Sequence, residues 1–274
     1  IENHPKLPHF AKIMSYTFYQ VDAFTDVLFK GNPAAVMKLD SFLPDDMMQN
    51  IASENNLSET AYVVPSGDHY KLRWFTPTVE IDFCGHATVA TAHLLATEFG
   101  LTPPFVFETK VGRLSVAIVD NKYVLDAPIS KAVPIEISEA MIEAFPVTLE
   151  AAFTAGNNLY LVFENEADVR VIKPDMSKII LLSNHGVGIT AKGEGEYDCV
   201  SRFFVPAEGI DEDSVTGSAH AAIGPYWAAR LGKTKLKAYQ ASARGGVLWL
   251  DVGQERLTIS GHAVTYMKAE ITGL

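Results

Sequence analysis

Two runs of small and apolar residues interrupt an otherwise strand-like pattern: Ala87-Thr88-Val89-Ala90-Thr91-Ala92-His93-Leu94-Leu95-Ala96 and Gly217-Ser218-Ala219-His220-Ala221-Ala222-Ile223. Neither carries a polar stripe, and a helix without one is comfortable only when buried on all sides. Both are therefore expected to be central helices, closed by Gly100 and Gly232 as left-handed C-terminal caps. Around them, β-branched and aromatic residues predict strands over 16–22, 60–64, 70–75, 159–163, 198–205 and 264–271. Hairpins are expected over 105–126, turning at Asp120-Asn121, and over 247–260, turning at Gly253-Gln254. Outer helices are expected over 44–54, where Pro44 suits a first turn, and over 138–145 and 174–184.

The two central runs occupy matching places. Each follows an Arg-x-Phe-x-Pro segment, Arg73-Trp74-Phe75-Thr76-Pro77 and Arg202-Phe203-Phe204-Val205-Pro206, and a short motif, Cys84-Gly85-His86-Ala87-Thr88 and Ser214-Val215-Thr216-Gly217-Ser218. This reads as a duplicated domain with both helix N-termini facing one cleft. Arg202 stands 129 residues after Arg73 and Ser214 stands 130 after Cys84, so one inserted residue is expected within Asp211-Glu212-Asp213. Pro225 should bend the second helix, because proline removes a hydrogen bond and crowds the preceding turn. The expected division is a leader over 1–13, a first domain over 14–130 plus 262–274, and a second over 131–261, with the linker near 128–134.

Composition mainly excludes. The 274 residues are 48% hydrophobic and 20% charged, enough for full cores, and a net charge of -11 argues against nucleic acid or anionic membranes as partners. No apolar run reaches the roughly 18 residues of a spanning helix, and residues 1–13 hold no signal-peptide core. The two cysteines, Cys84 and Cys199, have no metal-like spacing and fit a reduced, cytoplasmic chain.

Two converging helix N-termini offer unpaired N–H groups and positive dipole ends, for which a carboxylate is a natural guest. Gly85 and Gly217 would let it approach the backbone. On spacing alone the commoner reading is that the helices cap themselves, with Ser214 or Thr216 as N-cap. Glu59 stands before an apolar strand; a carboxylate at the mouth of a dry cleft has a raised pKa and can move a proton near neutrality. With His86 and Asp213 it would form a proton-shuttling set, although a solvated Glu and two ordinary helix-terminal residues are the plainer readings. Cys84 could be a thiolate, since a helix N-terminus lowers a thiol pKa, while its matched position holds Ser214. Cys199 reads as buried filler, and His93 and His220 as core or rim residues. Arg244-Gly245-Gly246 could bind an anion or only turn the chain.

Asp22-Ala23-Phe24-Thr25, Gly31-Asn32-Pro33-Ala34, Asn56-Leu57-Ser58-Glu59-Thr60, Arg73 to Pro77, Cys84 to Thr88 and Glu212 to His220 together resemble the PhzF-like phenazine biosynthesis family, in the family's order. The resemblance implies an α+β, diaminopimelate-epimerase-like fold: two pseudo-symmetric halves, each a curved β-sheet around a central helix, with the site between them. It implies an isomerase acting on a small carboxylate without metal or organic cofactor, and a homodimer. Glu59 would be the acid/base, joined by His86 and Asp213. Asn32, Ser58, Gly85, Thr216, Gly217 and Ser218 would bind substrate, and Cys84 is a possible accessory. The chain departs from the family pattern at Ser214, where proline is usual, and at Gly224-Pro225. A Cys84-assisted epimerase or racemase and a non-catalytic small-molecule-binding protein are the alternatives.

Overall fold

The computed structural model describes residues 15–272, so the expected leader over 1–13 lies outside the described residues. The strands form one continuous ribbon. It starts at the final strand, Ala263–Thr272, which pairs with Ser15–Ala23, and runs through Asn32–Lys38, Glu59–Ser66, His69–Phe75, Phe105–Thr109, Gly112–Val119 and Lys122–Pro128. There Lys122–Pro128 pairs antiparallel with Arg256–Gly261. The ribbon then continues through Gly246–Val252, Lys235–Gln240, Cys199–Val205, Val187–Lys192, Asn158–Phe163 and Leu149–Ala155 to Val133–Ile135.

Each half contains two parallel pairs, and a parallel pair needs a crossover. In the first half, helix Asp45–Asn55 connects Asn32–Lys38 to Glu59–Ser66, and the central helix Gly85–Thr97 lies between His69–Phe75 and Phe105–Thr109. In the second half the same places are taken by the short helices Glu166–Val171 and Met176–Leu182, and by the central helix Gly217–Leu231. Strands from both ends of the first half of the ribbon, Ala263–Thr272 and Lys122–Pro128, touch the Gly85–Thr97 helix. The sheet must therefore curl around it.

That position explains the small residues. Every residue from Gly85 to Leu95 is buried, which only side chains of this size permit at close strand approach. The two embedded histidines are satisfied internally: His93 lies 2.9 Å from the Tyr123 hydroxyl and 3.0 Å from Thr265 Oγ1, and His220 Nδ1 lies 2.8 Å from the Thr216 carbonyl. Pro225 sits inside a helix assigned continuously from Gly217 to Leu231. Its missing N–H leaves the Ala221 carbonyl without the usual partner, and Ser130 N–H, in the connection between the halves, donates to that oxygen at 3.0 Å.

Burial pulls the His93 and His220 imidazoles down to about 4. A depressed folded value means the contribution to stability is complete above the unfolded value of about 6.5 and is lost as pH falls toward 4. Asp213, raised by burial, acts in the opposite sense at the acid end. Comparing His220→Gln with the parent in denaturant unfolding isolates the histidine. The stability gap between them should shrink by about 3 kcal/mol from pH 7 to pH 4, and a pH-independent gap would show that His220 is not held neutral.

The turns follow local chemistry. Asp120 and Asn121 have φ of 49° and 60°, the pair of left-handed residues that a two-residue hairpin turn requires. Gly100 and Gly232 have φ of 63° and 66°; Leu101 N–H reaches back across Gly100 to the Leu95 carbonyl. The expected strands are present, with ends shifted by a residue or two. Strands that were not legible in advance are Asn32–Lys38, Leu149–Ala155, Val187–Lys192 and Lys235–Gln240, with the short Glu80–Ile81, Val133–Ile135 and Ile210–Asp213. Val187–Lys192 is buried at five consecutive positions, so it shows no alternation.

Pairing also corrects the internal alignment. Arg73 forms a two-pronged contact to Glu80 at 2.7 and 2.9 Å, and Arg202 repeats it on Glu212 at the same distances. The N-caps of the central helices are Cys84 and Thr216. Glu80 to Glu212 and Cys84 to Thr216 are both offsets of 132, so three extra residues, rather than one, separate the halves after Arg202. They fall in the tight turn around Pro206–Glu208 and Gly209, not in the acidic stretch. Thr216, not Ser214, is therefore the counterpart of Cys84, and Ser218 that of His86.

Candidate active site

The two central helices meet at their N-termini: a Cβ built on Gly85 would lie 4.0 Å from Gly217 Cα. Neither N-cap side chain caps its helix. The expected self-capping does not occur, because the Thr216 hydroxyl donates to Asp213 Oδ2 at 2.5 Å and Ser214 lies two residues before the N-cap. Thr216 is held in this pose by Gln240, whose Oε1 accepts from Thr216 N–H at 2.7 Å and whose Nε2 donates to the Asp213 carbonyl at 2.8 Å. A cavity of about 180 Å³ opens at the junction. The first half lines it with Glu59, Cys84, Gly85 and His86, and the second with Asp213, Thr216, Gly217 and Ser218. Those N–H groups and the two dipole ends point at the same small space.

Glu59 opens its strand, Glu59–Ser66, and its Oε2 lies 2.8 Å from His86 Nε2. No aligned hydrogen bond reaches that oxygen, so the contact is one of charge, off the line of the ring N–H. Counted along the paired strands from Arg73 and Arg202, the second half has Gly186 at the corresponding position. The cluster is one-sided.

Asn32 is the hub. Wholly buried, its Nδ2 lies 2.7 Å from Asp213 Oδ1, 2.9 Å from the Val215 carbonyl and 3.1 Å from His86 Nδ1. Its Oδ1 accepts from Ser58 Oγ at 3.3 Å. One amide thus ties the histidine of the first half to the aspartate of the second. Glu59, His86, Asp213, Asn32, Thr216, Gly85, Gly217 and Ser218 are brought together; Ser58 stands behind Asn32, away from the cavity wall.

Burial opposes charge on His86, and Cys84 and Glu59 facing it outweigh that, holding the imidazole well above its ordinary value. Burial also raises the Asp213 carboxyl, against the nearby imidazole and the donors Thr216 and Asn32. Cys84 lies 3.4 Å from His86 Nδ1. Burial and the Glu59 charge push its thiol up to about 11, opposite to the lowering that a helix N-terminus alone would give. Glu59, Cys84 and His86 offer three ligand atoms within 4.8 Å of one another, the set from which a soft cation could be held, although a protonated thiol is a poor ligand.

Arg244 is used internally. It lies 2.8 Å from the buried Asp22 and donates to the Lys30 and Gly31 carbonyls at 2.8 Å, clamping the loop before Asn32. Sequence reasoning missed Asn158, Phe83 and Phe203, which also line the cavity. Asn158 follows Gly156-Asn157 at the start of a strand, as Asn32 follows Gly31, and that echo was the available signal.

A family model described as phenazine biosynthesis-like protein matches residues 21–269. An uncharacterized isomerase of Pseudomonas aeruginosa is 44% identical over 259 residues, covering 94% of this chain and 99% of its own length. A crystal structure of a phenazine biosynthesis protein of the PhzF family from Enterococcus faecalis superposes with a TM-score of 0.91 at 45% identity, over 94% of this chain and 99% of that one. A hydroxyproline epimerase from Agrobacterium vitis, 11% identical, shares the fold with a TM-score of 0.60 over 94% and 92% of the chains. The architecture is the α+β, epimerase-like fold of two wrapped helices, in an isomerase-type protein. Matched by the family model over nearly its whole length and by relatives at more than 40% identity, the chain belongs to the phenazine biosynthesis-like protein family.

Proposed function

We propose that this protein is an isomerase that moves a proton on a small carboxylate, with Glu59 as the acid/base and no metal or organic cofactor in the reaction. The observation that carries this reading is that the Glu59 carboxylate and two uncapped helix N-termini share one cavity. The N-termini hold the substrate carboxylate and stabilise the enolate-like charge that forms when the C–H is broken, a role that preorganised N–H dipoles perform without reorganisation. Glu59 takes the proton and returns it at another carbon or face. The His86 imidazole lies 2.8 Å from it, and Asn32 with Asp213 and Thr216 keeps His86 in place. Substrate binding is assigned to Asn32, Ser58, Gly85, Thr216, Gly217 and Ser218, with Asn32 and Ser58 acting through the groups they hold. The acidic chain is read as a cytoplasmic homodimer working on free small molecules rather than on nucleic acid or membranes.

Thiol-based epimerisation is disfavoured by the raised Cys84 thiol and by Thr216 at the matched position. One experiment tests both readings: deuterium uptake from solvent into a panel of amino and hydroxy acids, with the wild type and Cys84→Ser. Uptake into at least one acid, retained within about tenfold in Cys84→Ser, is expected. Abolition by the serine substitution would restore the thiol mechanism, and no uptake from any acid would leave a binding protein.

A further inference from the structure

A second cavity of about 230 Å³ adjoins the first, and the two share Phe83, Gly85, Asn158, Gly217 and Ser218 as common wall. The helix N-termini are thus the threshold between two rooms of different chemistry. The first holds Glu59, His86 and Asp213. The second is walled by Phe24, Leu125, Ala155, Tyr160, Ala221 and Ile259, each at most 6% exposed, and no charged side chain lines it. Its polar side chains are neutral: Ser130, Asn157, Asn158, Ser218 and the Tyr160 hydroxyl. Asn158 is fixed at the threshold, its Oδ1 accepting from Gly186 N–H at 2.9 Å and its side chain beside the Tyr160 hydroxyl.

We propose that the second cavity seats the rest of the substrate, which makes the substrate class a monocarboxylic acid with an uncharged, apolar tail. This rests on the isomerase reading, which supplies the anchor for the carboxylate. A carboxylate at the N-termini has Glu59 on one side and this annex on the other, so a substituent pointing away from the acid/base enters the annex. Apolar groups placed there leave water and gain contact with aliphatic and aromatic walls. A second charge would be stripped of water with no counter-ion to meet it. Ala221 sets the depth: it lies one turn into the second central helix, on the annex side only.

The test is calorimetric binding of straight-chain monocarboxylates, acetate through octanoate, and of dicarboxylates of matched length. It is run on the full-length wild type and on Glu59→Gln, which binds without turning over. Affinity should rise about fourfold per methylene until the annex is full, with the matched dicarboxylates at least about 100-fold weaker. Ala221→Leu should bring the plateau to shorter chains, and Ile259→Ala, which opens space, should extend it. Affinity independent of chain length, dicarboxylates binding as well as monocarboxylates, or a plateau indifferent to both variants would overturn the assignment. Solvent-deuterium exchange by the wild type on amino acids with the same tails separates the two levels. A retained chain-length series without exchange defeats the isomerase reading and leaves the annex, whereas exchange that ignores the tail defeats the annex alone.

Discussion

Glu59→Gln lowers kcat by about 10²–10⁴-fold on any acid the wild type turns over, with KM changed far less. The substitution keeps the size of the side chain and its place beside His86 Nε2, 2.8 Å away, but removes the ability to accept a proton. Nothing on the second half can stand in, because the position corresponding to Glu59 is Gly186. Asp213 faces the same cavity, yet its carboxyl oxygens are occupied by Asn32 and Thr216. Steady-state kinetics and deuterium uptake should fall together. Turnover within tenfold of wild type would remove Glu59 from the chemistry.

Asn32→Asp is expected to be the most damaging change among the residues that do not touch the reacting atoms. It replaces the donor that lies 2.7 Å from Asp213 and 3.1 Å from His86 with an acceptor, setting two carboxylates against each other in a buried site. Asn32→Ala instead leaves the acceptors without a partner, costing about 1–3 kcal/mol for each one left unsatisfied. Both variants should lose stability, the aspartate more steeply as pH rises and the pair of carboxylates ionises. Residual activity should fall by about 10²-fold or more, since displacement of a positioning group by an ångström has effects of that size. Unfolding across pH together with kcat checks this. Equal stability of wild type and Asn32→Asp at neutral pH would show that Asn32 is not the link between the halves.

Much of the site was legible because its residues sit at local landmarks. Glu59 begins a strand, Gly85 and Gly217 begin helices, and Asn32 follows a glycine that nothing larger could replace: a Cβ on Gly31 would come within 2.2 Å of the Ala23 carbonyl oxygen. Asn158 was missed although it lines both cavities, because its own segment reads only as the entrance to a strand. Arg244 was open between anion binding and a simple turn. Its partner Asp22 lies more than 200 residues away in sequence, a pairing that no local pattern encodes.

What the chain determined by itself was local: two central helices, the first buried on all sides from Gly85 to Leu95 and the second buried from Ala219 to Gly224, their glycine stops, a left-handed pair at Asp120-Asn121, and strands wherever one face alternates. These depend on backbone sterics and on which side chains can leave water, properties written a few residues at a time. Three matters waited for the tertiary structure. The alignment of the halves depended on strand pairing, which matches Cys84 with Thr216 because the extra residues are looped out near Pro206–Glu208. Five consecutive buried positions in Val187–Lys192 became a strand only with a neighbouring strand on each edge and the helices Glu166–Val171 and Gly217–Leu231 packed against it. The protonation of Cys84 was decided by the loss of water around it and by the Glu59 charge, both supplied by distant segments. Desolvation and electrostatics are sums over everything nearby in space, and for this cleft most of those neighbours are remote along the chain.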